Sequence, residues 1–227
     1  MTKENRYIRQ IVLEEIGKEG QKKILAASVA IIGIGALGTV SSELLVRSGV
    51  GKILLVDKDV VDIVNLQRQL LFSEDDVGKK KVIAAKERLT KINFEVKIDI
   101  VEDFLDDENV SVLKDYDLIL DCTDNMRARH VINDFCEKNN KKWIYAAASG
   151  IRGNVLVVEN YAQFRKIFNS GETFDSCRDM GVINALINII SSLQVTECLK
   201  LIIGENYCKD LIRFDVWNNS YQKIKLT

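Results

Sequence analysis

Two stretches decide the reading: Val29-Ala30-Ile31-Ile32-Gly33-Ile34-Gly35-Ala36-Leu37-Gly38, and VDKDVVDIVNLQRQ from Val56 to Gln69. The first is a short apolar run that ends in a glycine-rich turn and opens a helix. Its first glycine, Gly33, permits the tight turn. Gly35 lets a ligand come close to the backbone, and Gly38 packs the helix on the strand. Main-chain N–H groups at the start of that helix face an anion. The second stretch closes the next apolar strand with Asp57, at the spacing of about 20 residues expected for a carboxylate on ribose hydroxyls. It then adds Asn65 and Arg68. A nicotinamide site has no need of an arginine there, whereas a site that holds and splits a triphosphate does.

Outward from this pair, apolar strands alternate with helical segments. Residues 6–27 read as one helix, 28–33 as a buried strand, and 36–48 as a helix closed by Gly49. Residues 52–57 read as a strand, 78–93 as a charged amphipathic helix, and 95–101 and 117–123 as strands. A helix over 125–140 and a strand over 143–149 follow. Such alternation predicts right-handed crossovers and a doubly wound, mainly parallel α/β sheet of Rossmann-like type. After Gly150 the pattern changes. Residues 153–159, 211–217 and 221–226 read as strands that continue the sheet antiparallel, with a tight turn at Asn218-Asn219. Nothing marks a domain boundary, so residues 1–227 are expected to form a single domain.

Composition narrows the function. A formal net charge of -1 gives no electrostatic reason to expect nucleic-acid binding. The N-terminal MTKENRYIRQ has no apolar core and does not read as a signal peptide. The five cysteines contain no CxxC pair, which points away from structural zinc and redox dithiols and toward a reduced, cytoplasmic protein. Residues 182–203 could span a bilayer by length. They also carry Asn184, Asn188, Gln194, Glu197 and Lys200, which are costly in lipid, so a helix buried on the sheet or a partner is expected and no membrane association.

These two stretches and three further groups of residues carry a specific resemblance. RYIRQ at 6–10, GIGALG, VDKD…NLQRQ, Gly78-Lys79-Lys80-Lys81 and Asp121-Cys122-Thr123-Asp124-Asn125 occur in the order of the ThiF/MoeB/HesA family, similar to the adenylation domains of ubiquitin-activating enzymes. The similarity continues through Cys177-Arg178-Asp179-Met180-Gly181-Val182 and SSLQVTECLKLIIG, residues 191–204. The resemblance implies ATP-dependent adenylation of the C-terminal carboxylate of a small ubiquitin-like sulfur-carrier protein ending in Gly-Gly, in thiamine or a related sulfur pathway.

The resemblance also implies roles. Arg68 matches the phosphate-binding arginine, whose fork suits phosphate oxygens. Lys81 matches the lysine that neutralises the departing pyrophosphate, with Lys79 and Lys80 as neighbouring registers. Asn65 matches a polar residue near the phosphates. Asp124 matches the aspartate that holds magnesium, a hard cation that needs oxygen ligands. Arg9 matches an arginine that reaches the terminal phosphate in the other subunit's site, which implies a homodimer. Cys177 aligns with a cysteine implicated in a covalent link to the carrier, and Arg178 beside it could favour a thiolate. The inert alternative for Cys177 is a core thiol. His130, the one histidine, sits mid-helix and reads as structural. The paired CxxC zinc ligands and the rhodanese-like domain of larger members have no counterpart, so a short form without zinc is expected.

Two rivals remain at this level. A nicotinamide or flavin oxidoreductase would account for GIGALG alone, but it lacks an obvious proton donor. A non-catalytic binder of a ubiquitin-like protein would not require Arg68, Lys81 and Asp124.

Overall fold

The computed structural model describes residues 6–168 and 181–226. Its eight strands are β1 (Ser28–Ile32), β2 (Lys52–Val56), β3 (Lys97–Val101), β4 (Leu118–Asp121), β5 (Trp143–Ser149), β6 (Arg152–Val158), β7 (Leu211–Asp215) and β8 (Ser220–Ile224). They form one sheet in the order β3-β2-β1-β4-β5-β6-β7-β8. The pairs from β3 to β5 are parallel. Those from β5 to β8 are antiparallel. The doubly wound sheet and its antiparallel extension are therefore as the alternation of elements predicts.

The strands near the centre are continuous apolar runs because both their faces are covered. On one face Ile31, Leu55, Leu120 and Ile144 join the long helix α7 (Asn184–Ile203) and α3 (Ala36–Ser48). On the other, Ile119, Trp143 and Tyr145 meet α5 (Met126–Asn139) and a short helix α6 (Tyr161–Phe168). Phe164 of α6 sits edge-on to Trp143, with ring centroids 4.7 Å apart. The sequence reading did not find α6. The helix α7 is long and apolar enough to cross a membrane, yet Leu186, Ile187, Ile190, Val195 and Cys198 are buried in the protein core.

Several boundaries move for identifiable reasons. The N-terminal segment is two helices, α1 (Ile8–Ile11) and α2 (Gly17–Ala26), because Gly17 takes a left-handed φ of 60° that a right-handed helix cannot pass through. The charged helix α4 begins at Lys81 and runs to Ile92, three residues later than expected. The preceding residues bind the 59–61 segment instead: Val61 N–H donates to the Lys79 carbonyl, and Lys80 bridges Val60. Helix α7 starts two residues late because Val182 bridges Gly150 and the Ile183 N–H donates to the Gly150 carbonyl. The last hairpin turns through residues 216–219, with Asn219 left-handed at φ 51°. Asp215 Oδ1 accepts the N–H groups of Trp217 and Asn218 and holds that turn. The outer strands are β3 and β8; on β8, Tyr221, Gln222 and Lys223 are exposed.

Candidate active site

Strand order reverses between β1 and β4: the chain goes from β1 outward to β2 and β3, then returns to β4 on the other side. In open parallel sheets the crevice beyond the carboxyl ends of the strands at such a point is where ligands bind. A cavity of about 670 Å³ opens there, lined by the turn after β1, the loop after β2, the loop after β4 and the start of α7.

The glycine turn is sterically committed. Gly33 has φ 88°, and a Cβ there would lie 2.7 Å from the Cys122 carbonyl oxygen. A Cβ on Gly38 would lie 1.9 Å from the Gly33 carbonyl oxygen, so only glycine lets α3 start this close to the turn. At Gly35 the nearest atom to an added Cβ is Gln69 Nε2 at 3.8 Å, so its backbone stays open on the cavity side.

The loop after β2 is tied to that turn. Asp57 Oδ2 accepts the Ile34 N–H at 2.6 Å, and Oδ1 accepts the Asp59 N–H at 2.8 Å. Each oxygen retains a lone pair for a ribose hydroxyl. Asp59 in turn holds Lys81: its carbonyl accepts the Lys81 N–H, and its Oδ2 lies 3.1 Å from Lys81 Nζ. Of the three consecutive lysines only Lys81 lines the cavity. Lys79 pairs with Asp76 at 3.1 Å, and Lys80 Nζ donates to the Lys58 carbonyl. Asn65 and Arg68 also line the cavity. Asp62 caps the short 3-10 turn Ile63–Asn65 by accepting the Val64 N–H, Asn65 Oδ1 accepts the Asp62 N–H in return, and the Arg68 guanidinium donates to the Val64 carbonyl.

The loop after β4 brings the acidic group. Asp124 is exposed on the cavity wall and forms no ion pair among the described residues. It is positioned by two of its motif neighbours, Asp121 and Thr123, and by Arg129, which sequence reasoning missed. Asp121, fully buried, accepts the Thr123 N–H and hydroxyl on Oδ1 and the Arg129 Nε–H on Oδ2 at 3.0 Å. Arg129 also donates to the Thr123 carbonyl at 2.8 Å, which closes the loop beneath Asp124. Burial pushes the Asp121 carboxyl above its ordinary range, and Arg129 and Thr123 pull against it. Asn125 Oδ1 accepts the Ala128 N–H and caps α5. The signal for Arg129 was its spacing, at the end of the first turn of a helix that starts at the loop, which lets it reach back toward the strand end.

Gln194, read in the sequence as an amide costly in lipid and as part of the SSLQVTECLKLIIG stretch, bridges two strands behind the cavity. Its Nε2 donates to the carbonyls of Asp121 and Ile144, at 2.8 and 3.0 Å. Its Oε1 accepts from Ser41 Oγ and Cys122 Sγ. That is the full capacity of a carboxamide. Burial and the neighbouring Asp121 push the Cys122 thiol up.

One expected residue, Arg9, does not line this cavity, and another, Cys177, cannot be placed relative to it. Arg9 is exposed on α1, which packs under the far end of α3: Gln10 donates to the Ser48 carbonyl, and Tyr7 accepts from Asn93. The glycine turn lies at the other end of that 13-residue helix, roughly 20 Å away at the helical rise. Cys177 lies outside the described residues; the described chain resumes at Gly181, which lines the cavity. His130 packs edge-on against Phe164 and does not line the cavity. Among the described residues no group of three or more His, Cys, Asp or Glu side chains could hold a metal ion.

Residues 7–227 match the profile described as the ThiF family. A sulfur carrier protein ThiS adenylyltransferase of Escherichia coli is 35% identical over 97% of this chain and 90% of its own length. A probable molybdopterin-synthase adenylyltransferase of Porphyra purpurea is 35% identical over 97% of this chain. The chain spans 60%, 52% and 51% of three of its curated relatives. The crystal structure of E. coli MccB with ATP superposes with a TM-score of 0.80 at 25% identity, covering 98% of this chain and 71% of that one.

Proposed function

Because this chain belongs to the ThiF family, we propose that it is an adenylyltransferase that activates the C-terminal carboxylate of a small ubiquitin-like sulfur-carrier protein ending in Gly-Gly. The observation that carries the reading is the meeting, in one cavity at the strand-order switch, of an open glycine turn with the side chains of Arg68, Lys81 and Asp124. An oxidoreductase reading gains nothing from the same cavity, since His130 is packed against Phe164 instead.

In this reading the adenosine lies over the glycine turn, with its ribose on Asp57. The carrier carboxylate, ionised at neutral pH, needs no general base. It forms a bond to the α-phosphorus of ATP as the bond to the bridging β-oxygen breaks, giving an acyl-adenylate and pyrophosphate. Arg68 and Lys81 hold the phosphates and offset the charge that develops on the leaving group, with Asn65 beside them. Asp124 is the residue that would hold magnesium; the ion supplies further neutralisation of phosphate charge. Residues 1–227 act as one domain, in the cytoplasm, with no zinc, no nucleic acid and no membrane.

We also propose a homodimer in which Arg9 serves the partner's cavity. The support is geometric: α1 sits a helix length from its own glycine turn, out of an arginine's reach. The test is carrier-dependent exchange of pyrophosphate into ATP, using purified E. coli ThiS as carrier. Wild-type protein should catalyse exchange, and tight NAD binding without ATP binding would refute the reading. Arg9→Ala and Asp124→Ala chains should each be inactive alone. Mixed by subunit exchange, about half the dimers are heterodimers with one intact site each, so activity should return to about a quarter of wild-type sites. Mixtures as inactive as their parents, after proven exchange, would place Arg9 outside the partner's site.

Cys177 is proposed to form a covalent link to the carrier. Cys177→Ser should still exchange pyrophosphate but trap no carrier adduct on a non-reducing gel. An adduct that persists in this variant moves the reactive thiol elsewhere, and the absence of one in wild type leaves Cys177 inert.

A further inference from the structure

The site contains one charge that binding phosphates does not require. Lys81 heads α4 with its side chain only 8% exposed, and its ammonium lies 3.1 Å from Asp59 Oδ2. An ammonium so far from water needs a counter-charge. Lys79 and Lys80 are engaged elsewhere, so among the described residues the Asp59 carboxylate is paired with Lys81 alone. The Asp59 side chain is itself 56% exposed on the rim of the cavity.

We infer that Asp59 is a positioning residue: it is the resting counter-ion of Lys81, and the incoming polyphosphate displaces it. The inference rests on the adenylation reading above. The backbone of Asp59 is fixed on both sides, its N–H donating to Asp57 and its carbonyl accepting from Lys81, so the exchange involves the side chain only. The two partners are unequal in a useful way. Lys81 is buried and would be costly to leave unpaired, whereas Asp59 is half in water and is released at small cost. Lys81 is thereby held extended toward the cavity in the empty site, and the approaching phosphate meets a side chain already in place. The cost is competition, because Asp59 occupies the ammonium that the phosphate must take.

Competition fixes the sign of the experiment. ATP with magnesium is titrated calorimetrically into wild type, Asp59→Asn, Lys81→Met and the double variant. Asparagine keeps the shape and both backbone hydrogen bonds while removing the charge. Asp59→Asn should bind ATP about fivefold tighter than wild type, the scale of one partly exposed ion pair. In the Lys81→Met background the same change should move binding less than about twofold, because there is no ammonium left to compete for. Weaker or unchanged binding in Asp59→Asn would overturn the inference. So would an equal gain in both backgrounds, which would mean simple repulsion of phosphate. Should the asparagine variant aggregate, Asp59→Ser serves the same arms. A wild type that binds no ATP sinks the adenylation reading and this inference with it; a wild type that binds ATP with no coupling in the cycle sinks the inference alone.

Discussion

Asp124→Ala should abolish carrier-dependent pyrophosphate exchange, by at least about a hundredfold, the scale of losing one preorganised electrostatic contact at a reacting phosphate. The fold should not notice. Asp124 is exposed, and the neighbouring helix is capped by Asn125 rather than by Asp124. Changes at such exposed positions usually move stability by no more than about 0.5 kcal/mol. The measurement pairs exchange rate with thermal unfolding. A variant that keeps exchange within about threefold of wild type, with an unchanged melting temperature, would remove Asp124 from the chemistry.

The second large effect is on stability. Arg129→Met should cost about 3–5 kcal/mol, because it leaves the Asp121 carboxylate buried without its counter-ion. The pH dependence has a definite sign. Burial already raises the Asp121 carboxyl, and removing Arg129 takes away the largest opposing influence. A carboxyl raised in the folded state contributes full stability while it is protonated, below its ordinary value of 3.8, and loses it as pH rises through the folded-state value. The deficit against wild type should therefore shrink on acidification from pH 7 toward 4. Urea unfolding of both proteins at several pH values measures it. A deficit under 1 kcal/mol, or one that grows on acidification, would show that the pair does not hold this loop. Exchange activity should fall as well where the variant remains folded, since the loop beneath Asp124 would no longer be closed.

The fold was legible because its signals are local and repeated. Apolar runs such as Ile53-Leu54-Leu55-Val56 are covered on both faces, and Gly33, Gly38 and Gly49 occupy positions a side chain could not. The glycine turn, Asp57, Asn65, Arg68, Lys81 and Asp124 all line one cavity at the strand-order switch. What was not legible depends on groups distant in sequence. Gln194 looks like a misplaced amide until the carbonyls of Asp121 and Ile144 come within reach of it. Arg129 looks like helix surface until Asp121 is buried opposite it. Asp59 is one acid among several in VDKDVVD until α4 folds back and places Lys81 against it. The break before Gly17 was missed because a left-handed glycine costs nothing in a periodicity count, and the late start of α4 because the pairing of Lys79 and Lys80 with the 59–61 segment is a contact distant in sequence.

The two outer strands bear on behaviour at high concentration. Among the described residues no strand pairs the outer edge of β3 or of β8, and an eight-stranded sheet with such edges is a template on which further chains could stack, strand against strand. On one flank β3 presents Lys97 and Asp99, and on the other β8 presents Lys223, with Lys225 just beyond it. An intruding strand would have to strip water from ammonium groups before it gained a single backbone hydrogen bond. Charges that contribute nothing to the cavity thus disfavour strand addition at both margins of the described sheet.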